Sequence, residues 1–452
     1  MIFVRQAMLA NGWAHNVSIS VAGGRIESIE ADQVSQPNDT VIDTLLPALG
    51  NLHSHSFQRA MAGMTEYRMA GKDSFWTWRD LMYRFTANLT PEHIEAIAAF
   101  VFLEMQEAGY ASVGEFHYLH HQPGGAPYDD LAELSARIAA AAATTGIGLT
   151  HLPVLYTYGG AGQVVLEAGQ ARFGNTVDRF NDLVTGAKRA VAALPDDCHV
   201  GIAPHSLRAT SPDDLAAVLG AHTSGPVHIH IAEQPKEVAD IKAWLGARPV
   251  EWLLTNANVG PDWCLIHATH MTEDETTDMA KSGSVAGLCP VTEANLGDGP
   301  FNGPAYLNAS GAFGVGSDSN VLISLTEELR TLEYSQRLRD VARNVMVVGE
   351  GSVGETLYMG AARGGAQALG RGEGEISVGS LADLVAIDST APSLCALRQD
   401  QLLDGLVFAA KDAVVTDVWS AGRHTVQSGR HVKRDEIVSA YRSAMHSLMP
   451  LL

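Results

Sequence analysis

The chain has 452 residues, a hydrophobic content of 46% and a formal net charge of −21. Its length allows about three average domains, or one large (β/α)₈ unit with additional segments. The acidic excess argues against non-specific binding to nucleic acid or anionic membranes. An anionic substrate would need arginines of the protein close to its binding site.

The targeting features of the sequence exclude further classes of protein. No apolar stretch reaches the roughly 18 residues of a membrane span, and the first residues lack the features of a signal peptide. The four cysteines are scattered without a C-x-x-C pair, so neither a disulfide framework nor a thiolate zinc site is indicated. We therefore expect a reduced, cytoplasmic protein without membrane or nucleic-acid partners.

The two ends of the chain have the alternating pattern of β-strands. Residues 1–46 contain a pair of alternating runs across the glycine turn 22–24. Similar runs return at 383–388 and 414–419. We predict one small β-sandwich formed by both termini, in which residues 373–452 supply the second part and a C-terminal helix.

The middle of the chain, residues 47–372, alternates short β-branched runs with amphipathic segments, which is typical of βα units. Thr90-Pro91 and Ser211-Pro212 each place an N-cap residue before a proline, as at helix starts. The eight predicted strands are 46–55, 112–118, 148–156, 200–206, 227–233, 263–270, 284–290 and 311–318. Eight such units predict an α/β fold with a metal-dependent TIM barrel, whose reactive groups lie at the carboxyl ends of the strands.

Several of these predicted strands end in side chains that bind metals. A lone His-x-His is weak evidence in a chain with 18 histidines. Residues i and i+2 of a strand share a face, so His53 and His55 can both bind one ion at the barrel mouth. His230 and Asp318 can complete the set. Imidazole and carboxylate ligands suit Zn²⁺, with Fe²⁺ and Mn²⁺ as alternatives, and the absence of a bridging lysine favours one ion.

The residues around the predicted ligands suggest proton-transfer chemistry. His228 competes with His230 for the ligand role, but His230 is favoured because Glu233 follows three residues later, past the strand end. There Glu233 can reach a metal-activated water, whereas the alternative for it is a solvated loop carboxylate. His267 can hydrogen-bond the attacking oxygen or the developing tetrahedral centre.

Together these residues resemble the deaminase branch of the amidohydrolase superfamily. That branch has His-x-His on strand one, a histidine with glutamate three later on strand five, a histidine on strand six and an aspartate on strand eight. Within it the chain is similar to the formiminoglutamate deiminases of histidine degradation, in the stretches 53–60, 203–209, 228–234 and 289–299. One departure is Asn51, which stands where the common pattern has aspartate and lies outside the ligand set.

The resemblance implies a homodimeric, metal-dependent hydrolase that converts N-formimino-L-glutamate to N-formyl-L-glutamate and ammonia, with one Zn²⁺ per subunit. The implied roles are metal binding for His53, His55, His230 and Asp318, catalysis for Glu233, His267 and Asp318, and substrate binding for Gln58, Arg79, Tyr118, His205 and Arg208.

The sequence context supports a substrate-binding role more strongly for Arg208 than for Arg79. A substrate with two carboxylates needs fork-shaped donors, and Arg208 lies just beyond a predicted strand end where a bidentate contact is feasible. Its alternative is a surface position at a helix start. Arg79 could belong to a packed loop helix, and the sequence leaves open whether it acts in its own or a neighbouring subunit's site.

Three other interpretations compete with this one. A deaminase of a purine, pyrimidine or s-triazine ring would prefer stacking aromatics and amide donors, whereas Arg208 with Tyr118 favours an acyclic dicarboxylate. A non-catalytic assembly protein with the same fold would have lost ligands, and the chain retains them. A metal-dependent amidase would normally need a bridging lysine, which the sequence does not offer at the expected strand ends.

Overall fold

The computed structural model describes residues 1–67 and 75–451. The strands are β1 (Ile2–Leu9), β2 (Gly12–Ala22), β3 (Arg25–Glu30), β4 (Thr40–Pro47), β5 (Leu49–Ser54), β6 (Tyr110–His117), β7 (Gly148–Leu155), β8 (His199–Val200), β9 (Ala203–Pro204), β10 (Val227–Ile231), β11 (Trp263–His267), β12 (Val285–Leu288), β13 (Ala312–Val315), β14 (Leu384–Ile387), β15 (Val415–Ser420), β16 (Arg423–Gln427) and β17 (Arg430–His431).

The helices cover much of the sequence between these strands. They are α1 (Phe75–Thr86), α2 (Pro91–Glu107), α3 (Glu133–Thr145), α4 (Val177–Val191), α5 (Pro212–Ala221), α6 (Pro235–Leu245), α7 (Pro249–Asn256), α8 (Glu273–Ser282), α9 (Pro290–Leu296), α10 (Gly303–Asn308), α11 (Leu325–Asp340), α12 (Val353–Ala368), α13 (Asp400–Phe408) and α14 (Arg434–Leu448). Within the described residues, no helix combines the length and apolar character needed to cross a bilayer.

Strands from both ends of the chain form one eight-stranded sheet. Its order is β17-β16-β15-β14-β4-β1-β2-β3. The amino-terminal strand β1 pairs antiparallel with β2 and parallel with β4, and the carboxyl-terminal half joins where β14 pairs antiparallel with β4. Alternate residues of these strands, among them Val17, Ile19 and Leu384, are fully buried in a common apolar cluster. This cluster holds the two termini together.

The remaining strands form two parallel sheets. One has the order β5-β6-β7-β8 with β9 also paired to β7, and the other has the order β10-β11-β12-β13. Single parallel bridges connect the two sheets at Ile202 with Val227 and at Ser54 with Asp318. Because all of these strands run in the same direction, the side chains that follow their carboxyl ends come together on one side of the molecule.

The two helix starts that the sequence predicts are confirmed. Helix α2 begins at Pro91 with the Thr90 hydroxyl accepting a hydrogen bond from the His93 amide, and α5 begins at Pro212 with Ser211 in the same role. Each cap satisfies an amide of the first turn that has no partner within the helix.

Each of the eight predicted strands overlaps an observed strand, but several predicted carboxyl ends are wrong. The strands predicted at 227–233, 263–270 and 311–318 end at residues 231, 267 and 315. The predicted strand 200–206 is divided into β8 and β9. Residues with left-handed backbone follow or close the three shortened strands, at Ala232 (φ 51°), His267 (φ 69°) and Asp318 (φ 46°). This backbone geometry ends a strand, since an extended strand requires negative φ.

Candidate metal centre and active site

Four buried side chains of metal-binding type meet at the carboxyl ends of the parallel strands. They are His53 of β5, His55 directly after it, His230 of β10 and Asp318 after β13. The His53 Nε2 atom lies 3.0 Å from His230 Nε2 and 3.4 Å from Asp318 Oδ1, and His55 Nε2 lies 3.3 Å from the same oxygen. Within the described residues, the four ligand atoms are all within 4.8 Å of one another.

These distances and the protonation of the histidines fit a divalent cation. Ligand atoms at 2.0–2.1 Å around a tetrahedral zinc ion are about 3.3 Å apart. Burial lowers the pKa of His53 to about 3, and burial also lowers the pKa values of His55 and His230. The three imidazoles are therefore neutral near pH 7, which is the form that binds a metal.

Backbone carbonyls orient two of the imidazoles. The His55 Nδ1 atom lies 2.9 Å from the Phe116 carbonyl oxygen, and His230 Nδ1 lies 3.2 Å from that of His205. When Nδ1–H donates to the carbonyl, the Nε2 lone pair faces the centre of the cluster. The neighbouring strands thus select the tautomer that can bind a cation.

Asp318 reaches the cluster because its backbone pairs with β5. Its amide donates to the His53 carbonyl and its carbonyl accepts from the His55 amide, both at 2.9 Å. A Cβ atom at Gly316 would lie 2.6 Å from the His53 nitrogen, so only glycine permits this approach.

Asn51, the departure from the superfamily pattern, has a structural role beside the cluster. Its Nδ2 donates to the Ser317 hydroxyl at 2.7 Å, and its Oδ1 accepts from the Ser317 amide at 3.1 Å. This reciprocal pair holds the residue before Asp318 against β5. The neutral amide can do both because it offers a donor and an acceptor.

A second group of potential ligands, His267, Cys289 and Asp318, overlaps the first through Asp318. Burial raises the pKa of the Cys289 thiol well above its ordinary value. A protonated thiol is a poor ligand, because metals bind the thiolate. The cluster of three histidines and Asp318 is therefore the better cation site.

Glu233 and His267 form an acid–base pair next to the cluster. The His267 Nε2 atom lies 3.8 Å from Glu233 Oε1 and 3.9 Å from Asp318 Oδ2, and its Nδ1 lies 3.2 Å from Glu293 Oε1. Burial opposes protonation of His267, but the carboxylates of Glu233, Glu293 and Asp318 raise its pKa to about 10. Burial raises the pKa of Glu233, which suits a residue that accepts and returns a proton near neutral pH.

The cluster opens into a cavity. The lining side chains are His55, Gln58, Trp78, Arg79, Met82, Tyr83, Tyr118, Tyr156, Phe173, His205, Arg208, His230, Glu233, His267, Leu296, Asp318 and Ser319. All five predicted substrate-binding residues are among them. Arg79 belongs to α1 and lines the cavity of its own chain.

Polar contacts connect several cavity residues. The Gln58 side-chain amide donates to the Tyr118 hydroxyl at 2.7 Å. The Arg208 guanidinium lies 3.5 Å from Glu233 Oε2 and 3.8 Å from Glu237 Oε2. Glu237 also accepts hydrogen bonds from the Ala232 and Glu233 amides at 3.2 and 3.1 Å, so it supports the turn that carries Glu233.

The structure separates the two histidines that compete for the ligand role on β10. The His228 Nε2 atom lies 2.8 Å from the Ala368 carbonyl oxygen, whereas His230 faces His53. Two residues apart on one strand, both side chains are on the same face, but only His230 is close enough to the strand end to join the cluster. The preference for His230 agrees with this placement.

Sequence reasoning missed three polar side chains of this site: Tyr156, Glu237 and Glu293. Glu237 and Glu293 lie in the first turns of α6 and α9, where glutamate is common for reasons of helix stability. Tyr156 follows an apolar strand and resembles any core aromatic residue. The only available signal was that Glu293 lies in the stretch 289–299, which carries the family resemblance.

Comparisons with known proteins agree with this geometry. Residues 44–425 match the amidohydrolase family, and residues 1–41 match the N-terminal domain of formimidoylglutamate deiminase HutF. The formimidoylglutamate deiminase of Pseudomonas aeruginosa is 47% identical over 451 residues, which cover 99% of each chain.

Solved structures of other proteins have a similar fold. An amidohydrolase from Brucella melitensis is 50% identical with a TM-score of 0.96, covering 99% of each chain. An adenosine deaminase from Xanthomonas campestris with bound zinc is 21% identical with a TM-score of 0.81, covering 99% of this chain and 98% of its own. The second likeness shows the fold alone.

Proposed function

The chain belongs to the amidohydrolase family and to its formimidoylglutamate deiminases, and from that premise we propose that it hydrolyses N-formimino-L-glutamate to N-formyl-L-glutamate and ammonia, a step of histidine degradation. One observation carries the proposal. A single cavity contains the four-residue cluster, the proton-transfer pair Glu233 and His267, and the guanidinium of Arg208. The first two provide hydrolytic chemistry, and the third provides recognition of a carboxylate.

We propose one Zn²⁺ per subunit, with Fe²⁺ and Mn²⁺ as alternatives. His53, His55, His230 and Asp318 would hold the ion, because these three neutral imidazoles and one carboxylate match the ligands that zinc prefers. Such an ion supplies Lewis-acid catalysis, which makes water acidic at neutral pH and stabilises negative charge on the reacting centre.

In the proposed reaction, Glu233 carries the proton. Its carboxylate takes a proton from the water whose oxygen attacks the formimino carbon. It then gives that proton to the terminal nitrogen of the adduct formed from the amidinium group, and the bond between this nitrogen and the carbon breaks as ammonia leaves. The proton that remains on the attacking oxygen is released to solvent as the formyl carbonyl forms. A carboxyl group whose pKa is raised by burial can perform both transfers.

His267 and Asp318 assist from the same side. The His267 Nε2 atom faces Glu233 and Asp318, so it can donate a hydrogen bond to the oxygen that attacks the carbon. Asp318 directs one oxygen to His53 and His55 and the other to His267, and it therefore keeps the imidazolium in place.

The substrate carboxylates would be bound by the arginines that line the same cavity. Arg208 can form two parallel hydrogen bonds with a carboxylate, and Arg79 adds a second positive charge. Gln58, Tyr118 and His205 would contact the amidine and the backbone of the substrate. Aromatic side chains also line the cavity, but the two arginines favour an acyclic dicarboxylate over a nucleobase, which carries no carboxylate.

The wider architecture is part of the same proposal. The bridges between the two parallel sheets support a closed (β/α)₈ barrel over residues 47–372. Residues 1–46 and 373–452 would form the small β-sandwich domain, which includes the eight-stranded sheet. We also propose a cytoplasmic homodimer.

The test measures ammonia release by the zinc-loaded protein with N-formimino-L-glutamate, guanine and cytosine side by side. We expect turnover of the first compound alone. Arg208→Met should lower kcat/KM by roughly 100-fold, because a charged hydrogen-bond pair is lost. The matched control is Arg84→Met, since Arg84 is exposed on α1 and should leave kcat/KM unchanged. Turnover of a base without turnover of N-formimino-L-glutamate would overturn the assignment.

A further inference from the structure

Tyr156 lies at the wall of the cavity, directly after β7, and has no role in the reaction described above. Its side chain is 5% exposed. The ring packs edge-on against His205 at a centroid distance of 4.6 Å and against Phe173 at 5.7 Å. These contacts fix the ring, so the direction of its hydroxyl group is set by the surrounding hydrogen bonds.

Gln170 determines which hydrogen bonds the Tyr156 hydroxyl accepts. The fully buried Gln170 side chain accepts a hydrogen bond from the Glu167 amide through Oε1 at 2.9 Å. Because a backbone amide can only donate, this bond assigns the oxygen and leaves Nε2 facing the tyrosines. Nε2 donates to the Tyr156 hydroxyl at 3.0 Å and to the Tyr83 hydroxyl at 3.2 Å.

The two tyrosines are also hydrogen-bonded to each other. Gln170 Nε2 donates to both hydroxyl oxygens, so in the arrangement that leaves a donor facing the cavity, Tyr83 donates to the Tyr156 oxygen. A phenol oxygen has two acceptor positions and one proton, so the Tyr156 proton remains available for a third partner.

The charge around Tyr156 indicates the chemistry of that partner. Burial raises the pKa of Tyr156, and the positive charges of Arg208 and Arg79 oppose the rise. A hydroxyl donor beside two guanidinium groups, all lining one cavity, matches an anionic oxygen. The substrate of the proposed function carries two carboxylates, and Arg208 would bind one of them.

We propose that Tyr156 donates its hydroxyl proton to the substrate carboxylate bound by Arg208, and that it is a specificity-determining residue held in position by Gln170 and Tyr83. This inference rests on the proposed function for the identity of the substrate. The site would thus reject compounds that lack this carboxylate, because the Tyr156 donor and Arg208 would both lose their acceptor.

The test compares Tyr156→Phe with the wild type on three compounds. These are N-formimino-L-glutamate and two analogues that each lack one carboxylate, N-formimino-4-aminobutyrate and N-formimino-2-aminobutyrate. We expect kcat/KM of Tyr156→Phe to fall roughly 10- to 100-fold for N-formimino-L-glutamate, mainly through KM. The same fall in kcat/KM should be seen with the analogue that keeps the contacted carboxylate. It should be absent with the analogue that lacks this carboxylate.

Two control variants separate this hydrogen bond from packing. Tyr158→Phe makes the same change at a half-buried tyrosine outside the cavity and should behave as wild type. Tyr83→Phe leaves the Tyr156 donor in place and should have a smaller effect than Tyr156→Phe. An equal loss for all three compounds, or no loss for any, would overturn the inference.

Binding of glutarate, measured by calorimetry without turnover, separates this inference from the proposed function. If the wild type binds glutarate and Tyr156→Phe binds it roughly 10-fold more weakly, the carboxylate contact stands even if N-formimino-L-glutamate is not hydrolysed. If hydrolysis is observed but both proteins bind glutarate equally, the inference fails while the proposed function remains.

Discussion

At the scale of single residues, the site depends on how His267 is held. The left-handed backbone at His267 (φ 69°) turns its side chain from the strand end toward the cluster. Glu293 then lies on its Nδ1 side, while Glu233 and Asp318 lie on its Nε2 side. Glu293 accepts a hydrogen bond from the Cys289 amide at 3.0 Å, and we expect it to act on the reaction through His267 as a positioning residue.

Replacing Glu293 tests this role. Glu293→Gln removes one of the three carboxylates that raise the pKa of His267 to about 10, so the pKa of His267 should fall. If the reaction requires protonated His267, activity is lost above that pKa. The alkaline limb of kcat/KM should therefore move to lower pH, and the loss of activity relative to wild type should increase as the pH rises.

The measurement is the pH dependence of kcat/KM for Glu293→Gln and for Glu273→Gln, which makes the same change at an exposed glutamate on α8. The control should retain the wild-type profile. An unchanged alkaline limb in Glu293→Gln would show that Glu293 has only a packing role.

The cluster of three histidines and Asp318 could be predicted from the sequence because the spacing of its residues has a direct geometric meaning. His53 and His55 share a face of one strand, and His230 and Asp318 lie at other strand ends. Tyr156 and Glu293 could not be selected in the same way. Their roles depend on which side chains approach from distant parts of the chain, such as Gln170 and His267.

At the scale of secondary structure, the existence of the strands was predictable but their ends were not. Ala232, His267 and Asp318 have left-handed backbone without being glycine, so no residue in the sequence marks the turn. Hydrogen bonds with neighbouring strands maintain this backbone, as in the contact between the Asp318 amide and His53. Such contacts between distant segments leave no local pattern.

Strands β6 and β7 also bury histidines away from the metal centre. The ring centroids of His117 and His151 lie 5.4 Å apart, and in the described part of the chain the His151 ring has no hydrogen-bond partner. Burial lowers the pKa of His151 to about 3 and that of His117 well below its ordinary value. Both remain neutral in the folded protein at pH values where an unfolded histidine would be protonated.

These strands should therefore make folding stability sensitive to mild acid. The unfolded state binds a proton at His151 as the pH falls below about 6.5, and the folded state binds one only near pH 3. Between pH 7 and pH 5 this difference costs about 2 kcal/mol of unfolding free energy. Between pH 7 and pH 5, the unfolding free energy of His151→Leu should therefore fall by about 2 kcal/mol less than that of the wild type.

Urea denaturation at several pH values, with saturating zinc in every sample, measures the effect. The exposed His446 on α14 provides the control, since His446→Leu should follow the wild-type pH dependence. If His151→Leu and wild type lose the same unfolding free energy between pH 7 and pH 5, His151 is not buried as a neutral group.

At the scale of the whole molecule, the net charge affects substrate binding, and the pairing of strands joins the two ends of the chain. The net charge of −21 disfavours the approach of carboxylate groups, so we expect binding to depend on local cations such as Arg208 and Arg79. The alternating pattern at both termini predicted strands there, and β4 and β14 join the two halves into one sheet. Which strands would be neighbours could not be predicted, because the pairing partners are far apart in sequence.

The most direct test of the central claim, that four side chains hold one divalent cation, is elemental analysis after zinc loading and gel filtration. The wild type and Cys289→Ala should each retain one ion per chain, because the thiol is outside the ligand set. The double variant His53→Ala/His230→Ala should retain none while keeping its circular dichroism spectrum. A wild type without bound ion, or a double variant that keeps a full ion, would contradict the account.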